Sequence, residues 1–259
     1  MRKSRYIINK RGKITIYSFI LLIILLIYIC ISSSIFDLKE VTLKGNDKIV
    51  RDDIIKISSI KIGNNLFQYN INEIEKNILK NPYINYVKVS RKIPNKLIIE
   101  IKENTEDAII KVDKRYVYIQ EDGLILSEKN DITNKHIPII KGIELKEKDI
   151  NTFIKTNNDN QDLLIKTLKI LKDNKMIREI KTIDIKKNYI NMENTDDIKI
   201  TMKLDENIQY NVKRLNEILI DLKSNNIKKG NVNLVSKEQA VYSPWYKESL
   251  KYSSLYINF

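Results

Sequence analysis

The chain has 259 residues, 42% hydrophobic and 31% charged, enough apolar material for one or two ordinary domains and too much for a disordered chain. Six glycines and four prolines exclude collagen-like and flexible low-complexity classes. One cysteine and one histidine exclude a disulfide framework and a His/Cys zinc site, and the net charge of +13 needs to be located before it implies a partner.

Residues 1–13 hold Arg2, Lys3, Arg5, Lys10, Arg11 and Lys13 with no acid, and residues 14–36 carry no charge. The remainder has 40 basic and 33 acidic residues, a net +7. Lys and Asp/Glu are interspersed there, whereas a nucleic-acid binder gathers basic residues on one face with aromatics between them, so no nucleic-acid partner is predicted. The surplus of +7 permits contact with anionic cell-wall polymers.

The run ITIYSFILLIILLIYICI begins at Ile14. As a helix, residues 14–36 would reach about 34 Å, enough for a hydrocarbon core of roughly 30 Å. Ser32-Ser33-Ser34 supplies the small residues of a signal-peptide cleavage site, but the apolar run exceeds the ~7–15 residues of a signal core. Cys30 follows Ile29 instead of a small residue, which fits a lipoprotein signal poorly. The prediction is an uncleaved single-pass anchor at the cell membrane. Its basic tail, residues 1–13, stays in the cytoplasm, and everything from Asp37 onward lies outside.

FDLKEVTLKG alternates through Phe36, Leu38, Val41 and Leu43 and predicts a strand ending at Gly45. VRDDIIKIS sets Val50, Ile54, Ile55 and Ile57 on one helical face. NINEIEKNILKNP follows, with Asn72 and Glu75 spaced as a capping box and Pro82 as the stop. In INYVKVSRKIPNKLIIEIKE, Val87 and Val89 alternate up to a Pro94-Asn95 turn, and Leu97, Ile99 and Ile101 alternate back. The order is strand–helix–helix–strand–strand over residues 37–103. The residues Val41–Gly45, Gly63-Asn64-Asn65-Leu66-Phe67, Asn81-Pro82-Tyr83-Ile84 and Arg91–Glu103, in this order behind a one-pass anchor, resemble the POTRA domain of the FtsQ/DivIB family of bacterial cell-division proteins.

Residues 108–246 read as a second unit of mixed strands and helices. RYVYIQEDGLILSE is a hairpin turned at Asp122-Gly123, and IPIIKGIE is extended. Leu164, Leu168 and Leu171 mark a helix. Two strands flank the Asn194–Asp197 turn, and Val212, Leu215, Ile218, Leu219 and Leu222 stripe a long helix. Gly230 leads to NVNLV and then to EQAVYSPW. This succession resembles the family's second extracytoplasmic domain, best in its Gram-positive, DivIB-like branch. The predicted class is α+β: a single N-terminal transmembrane helix, a POTRA-like β-α-α-β-β domain, and a mixed sheet domain with flanking helices. Residues 247–259 read as a polar and aromatic tail.

Nothing in the residues singles out a catalytic centre. His136 sits in a turn-rich stretch beside Pro138 and reads as a surface or packing residue. Cys30 lies inside the predicted span. The acidic clusters Asp52-Asp53, Glu103/Glu106/Asp107 and Asp196-Asp197 fall at a helix start, a linker and a turn, and read as solvated charges; no metal or cofactor site is predicted. The rival readings are a membrane-anchored peptidoglycan-modifying enzyme and another POTRA-bearing assembly or secretion factor. The second of these usually shows several repeats and a barrel.

The resemblance implies a non-enzymatic divisome scaffold at the septum that holds two small bitopic partners, an FtsL-like and an FtsB/DivIC-like protein, and couples them to septal peptidoglycan synthesis. It implies that the partner adds a strand to the sheet edge at the end of the second domain, assigning Gln239, Ala240, Val241, Tyr242, Pro244 and Trp245 to the partner strand. Ser236–Glu238 lacks the glycine of the Gram-negative turn, so atom-level contacts do not carry over from that branch. Tyr242 and Trp245 either plug the domain's own core or present apolar area to a partner.

Overall fold

The computed structural model describes residues 10–147, 149–156, 161–186, 189–203, 207–235, 240–244 and 255–257. The chain divides into two compact units, Met1–Glu103 and Asn104–Phe259.

The first unit opens with α1 (Lys10–Ile31). Its stretch Gly12–Ile29 has a mean hydropathy of 2.3 and is not covered by protein, as expected of a span that faces lipid on all sides. Then come β1 (Glu40–Lys44), α2 (Arg51–Ser58), a 3-10 turn at Leu66–Gln68, α3 (Ile71–Ile78), β2 (Ile84–Lys92) and β3 (Lys96–Glu103). The sheet order is β1-β3-β2, with β1 parallel and β2 antiparallel to β3. This is the expected strand–helix–helix–strand–strand unit. Ile54 from α2 and Ile74 and Ile78 from α3 close a core with Val41, Val87, Val89, Leu97 and Ile99. Gly45 (φ +77°) is obligatory, because a Cβ there would sit 2.2 Å from the Ile101 carbonyl oxygen.

Two local expectations differ. The α3 cap is Asn70, whose side chain accepts from the Glu73 amide, so the helix starts earlier than an Asn72–Glu75 box requires. Glu75 accepts instead from the Val89 amide on β2 at 2.7 Å, and Arg51 Nε donates to the Val41 carbonyl on β1 at 2.9 Å. Both margin strands thus carry a group already held by a side chain, which blunts the two edges of this sheet.

The second unit contains β4 (Ala108–Val112), β5 (Arg115–Ile119), β6 (Ile125–Lys129), β7 (Ile139–Lys141), β8 (Leu145–Glu147), β9 (Lys155–Thr156) and α4 (Gln161–Asp173). After these come β10 (Ile180–Ile185), β11 (Tyr189–Asn194), β12 (Ile198–Lys203), α5 (Ile208–Ser224), β13 (Gly230–Leu234), β14 (Ala240–Ser243) and β15 (Leu255–Ile257). One mixed sheet runs β15-β14-β13-β12-β11-β10-β7-β4-β5-β6, with β8 and β9 paired separately. Leu164, Leu168 and Leu171 of α4 and Val212, Leu215 and Leu219 of α5 share a core with Ile183, Ile190, Ile200 and Val232 of the sheet. Residues 104–107 belong to this unit instead of linking two, and the stretch read as a tail supplies β15.

Candidate functional site

The margin that ends in β14 and β15 is built from α5 outward. Helix α5 stops where Asn226 takes a left-handed conformation (φ 59°) and the Ile227 amide returns to the Leu222 carbonyl at 2.9 Å, a helix end closed by its own backbone. The chain then reaches Gly230 and runs as β13 parallel to β12, pairing Ile200 with Val232 and Met202 with Leu234. Strand β14 returns antiparallel, pairing Val232 with Tyr242 and Asn233 with Val241.

The site residues named from the sequence separate by face. Ala240 and Tyr242 are buried in their own unit's core. The Tyr242 hydroxyl donates to the Lys229 carbonyl at 3.1 Å, and burial pushes its pKa up. Val241 is half-buried on the other face, in a row across the sheet with Asn233, Thr201 and Asn191, where Thr201 Oγ1 donates to Asn191 Oδ1 at 3.1 Å. Pro244 is exposed at the strand's end. Gln239 and Trp245 lie outside the described residues. Of the two aromatics expected as partner contacts, Tyr242 is a core side chain, so what β14 presents away from the core is its backbone, Val241 and Ser243.

The margin of β14 is also not bare. Strand β15 lies antiparallel along it, pairing Ala240 with Ile257, Val241 with Tyr256 and Tyr242 with Leu255. The signal for β15 is present in the sequence as the alternating run Leu255-Tyr256-Ile257, but three residues at a terminus are too few to separate a strand from an unstructured end.

Asp52 and Asp53 are exposed, as expected of solvated charges, but another acidic cluster is far from solvated. Asp107 is 2% exposed and accepts from Lys172 Nζ of α4 at 2.7 Å, from the Glu121 amide at 3.0 Å and from Thr105 Oγ1 at 3.1 Å. Lys172 also pairs with Glu121. Burial, and then the bond shared with Glu121, push the Asp107 carboxyl up to about 6 against the pull of Lys172. Sequence reading missed this pin because Lys172 lies 65 residues from Asp107.

Glu103 accepts from the amides of Asp47, Lys48 and Ile49 and so closes the loop after β1; Glu106 pairs with Lys129 at 2.9 Å and Asp197 pairs with Lys181. Asp52 and Asp53 stand in the first turn of α2, the end that favours negative charge. A shallow recess beside α2 is lined by Asp52, Ile55, Lys56, Ser59, Ile60 and Lys61, which include a single carboxylate. Among the described residues no group of three or more His, Cys, Asp or Glu is placed to hold a metal ion.

Comparison with known proteins gives a consistent result. Residues 36–104 match the model of the FtsQ-type POTRA domain. The chain is 32% identical over 226 residues to the cell division protein DivIB of Clostridium botulinum (strain Hall), covering 85% of this chain and 86% of that one. It is 32% identical over 228 residues to the DivIB of Clostridium tetani, covering 86% and 84%. The cell division protein FtsQ of Syntrophotalea carbinolica is 27% identical over 113 residues, 44% of this chain and 40% of that one.

Proposed function

Because the chain belongs to the FtsQ/DivIB family of bacterial cell-division proteins, we propose that it is a non-enzymatic, single-pass scaffold of the division septum. It holds an FtsL-like and an FtsB/DivIC-like bitopic partner beside the machinery of septal peptidoglycan synthesis. The basic N-terminal tail stays in the cytoplasm and everything from Asp37 onward faces outward.

The observation that carries this reading is the β14 margin. Strand β15 has three residues and three residue pairs against β14, a small set of main-chain bonds for a ten-stranded sheet to end on. A partner strand of greater length would take the place of β15, gaining backbone hydrogen bonds along Ala240–Ser243 and a contact with Val241. Specificity would come from side chains on the outer face, since Tyr242 is committed to the core.

Affinity purification of the full chain from dividing cells in mild detergent tests this. The expected result is retention of both small single-span proteins, with no turnover of peptidoglycan by the purified material. Turnover that one Asp or Glu substitution abolishes, with neither small protein retained, would favour the enzymatic alternative and overturn the scaffold.

A further inference from the structure

The end of the first unit nearest the anchor carries apolar side chains that its own core does not use. The carbonyl of Ile31, at the end of α1, accepts from the Asn65 side-chain amide at 2.8 Å. That bond satisfies one of the helix's orphan carbonyls and holds the loop 60–68 against the exit of the span. The Leu38 amide donates to the Asn64 carbonyl and the Gly63 amide to the Leu38 carbonyl, both at 2.8 Å, and the Phe36 and Phe67 rings meet edge-on with centroids 5.2 Å apart. The β2–β3 turn reaches the same end, because Glu40 at the start of β1 pairs with Lys96 at the start of β3, and the Lys39 amide donates to the Asn95 carbonyl at 2.9 Å.

Three separate segments therefore converge on the mouth of the span, and each exposes a large apolar side chain there. Ile35 is 61% exposed in the juxtamembrane segment, Ile62 55% and Phe67 38% in the loop, and Ile93 65% in the turn. Single exposed apolar residues are ordinary, but four gathered at the point where the chain leaves lipid are not. Lys39, Lys61 and Lys92 are exposed beside them. Ile31 is the last residue both of α1 and of the apolar run that begins at Ile14, so it stands where the span meets the headgroups. The headgroup zone on each side of the hydrocarbon is roughly 5–7 Å deep, so a loop bonded to Ile31 lies within it.

We propose that Ile35, Ile62, Phe67 and Ile93 form a lipid-facing foot that seats the POTRA-like domain on the leaflet at the exit of its anchor. The four apolar tips enter the headgroup–acyl boundary, and the three lysines lie over anionic headgroups. The foot fixes the tilt of the first unit on the membrane, so the sheet does not swing freely on a flexible tether. It does not depend on the partner-strand reading, since it uses no residue of the second unit.

The test uses the full chain with its only cysteine replaced, C30S, reconstituted into vesicles of phosphatidylethanolamine and phosphatidylglycerol. An environment-sensitive dye is attached at Ile93→Cys in one protein. In a control it is attached at Val50→Cys, which is 58% exposed and follows the opposite end of β1. Position 93 is the informative probe because 62 residues of chain separate it from Ile31, so sequence proximity to the anchor does not place it near lipid. The foot predicts several-fold stronger quenching by lipids spin-labelled near the headgroup at position 93 than at position 50, and protection from aqueous iodide at 93 alone. Equal lipid quenching at the two positions would overturn it, as would iodide protection at 93 without lipid quenching, which would mean that protein covers this end. Adding Ile62→Asp and Phe67→Asp, both exposed, should bring the lipid quenching at 93 down to the control level; unchanged quenching would also overturn it.

Discussion

The Tyr242 ring lies directly over Gly230: a Cβ on Gly230 would come within 2.4 Å of Tyr242 Cε2 and 2.7 Å of its hydroxyl oxygen. The glycine that opens β13 is there to admit the tyrosine of β14, and the hydroxyl then reaches the Lys229 carbonyl. Gly230→Ala should cost about 1–3 kcal/mol by overpacking. Tyr242→Phe should cost about 1 kcal/mol for the lost hydrogen bond, and Tyr242→Ala about 3–5 kcal/mol for the cavity. Urea unfolding of the full chain in detergent, followed by the fluorescence of the single tryptophan, Trp245, checks all three. Tyr242→Arg belongs with the core-disrupting substitutions and should unfold the second unit. A well-folded Tyr242→Arg chain would contradict the core assignment.

This pair shows what the sequence could and could not disclose. The short period of the strands and the apolar stripes of α4 and α5 are local patterns, legible from Leu164/Leu168/Leu171 and Val212/Leu215/Leu219, and the POTRA-like order of the first unit is legible from the same kinds of pattern at Val87/Val89 and Leu97/Ile99/Ile101. The direction of Tyr242 depends on which face of β14 meets the helices, and a four-residue strand that stops before Pro244 has too little alternation to say. Lys172 and Asp107 meet only because α4 packs near the start of β4, a relationship that no spacing announces. The spacing of Glu75 from Asn72 fits a capping box, yet its carboxylate reaches across to the Val89 amide instead.

If a partner strand joins at β14, as proposed, β15 must compete with it for that edge. Deleting residues 252–259 should leave the second unit folded, since Ala240 and Tyr242 keep their core contacts, and should tighten partner capture by about 5- to 10-fold if the displaced pairing is worth roughly 1–1.5 kcal/mol. The unprotected edge should also raise the tendency to self-associate. Titration of the full and shortened chains against the partner ectodomain, with sedimentation of each alone, reads both effects. A shortened chain that no longer binds would show that β15 is part of the partner's seat.

The buried pin gives a pH dependence with a definite sign. Asp107 holds its proton to about 6 in the folded chain, above the ~3.9 of an exposed aspartate, so its contribution to stability falls as pH rises from about 4 to about 6. For Glu121, burial pushes the pKa up, but the bonds to Asp107 and Lys172 prevail and lower it. Its contribution is present above the ordinary glutamate range and is lost as pH falls through its lowered value. Asp107→Asn deletes the first contribution and keeps the charge of Glu121 beside Lys172. The stability deficit of Asp107→Asn should therefore be largest near pH 4 and shrink by about 1–3 kcal/mol toward pH 7. Denaturant midpoints across that range check it; a deficit that grows with pH would contradict a burial that outweighs the pull of Lys172 on the Asp107 carboxyl.

The most direct measurement of the central claim, that the margin at β14 receives a strand from another chain, is photocrosslinking from position 241 in dividing cells. Val241 is half-buried on the outer face and pairs with Tyr256 of β15, so a photoreactive side chain there sits beside whatever strand occupies the edge. The expected product is an adduct with a small single-span partner, and none from the same probe at Tyr86 on β2 of the first unit. Adducts from position 241 confined to the chain's own C-terminal residues, with the partner present in the same cells, would contradict it.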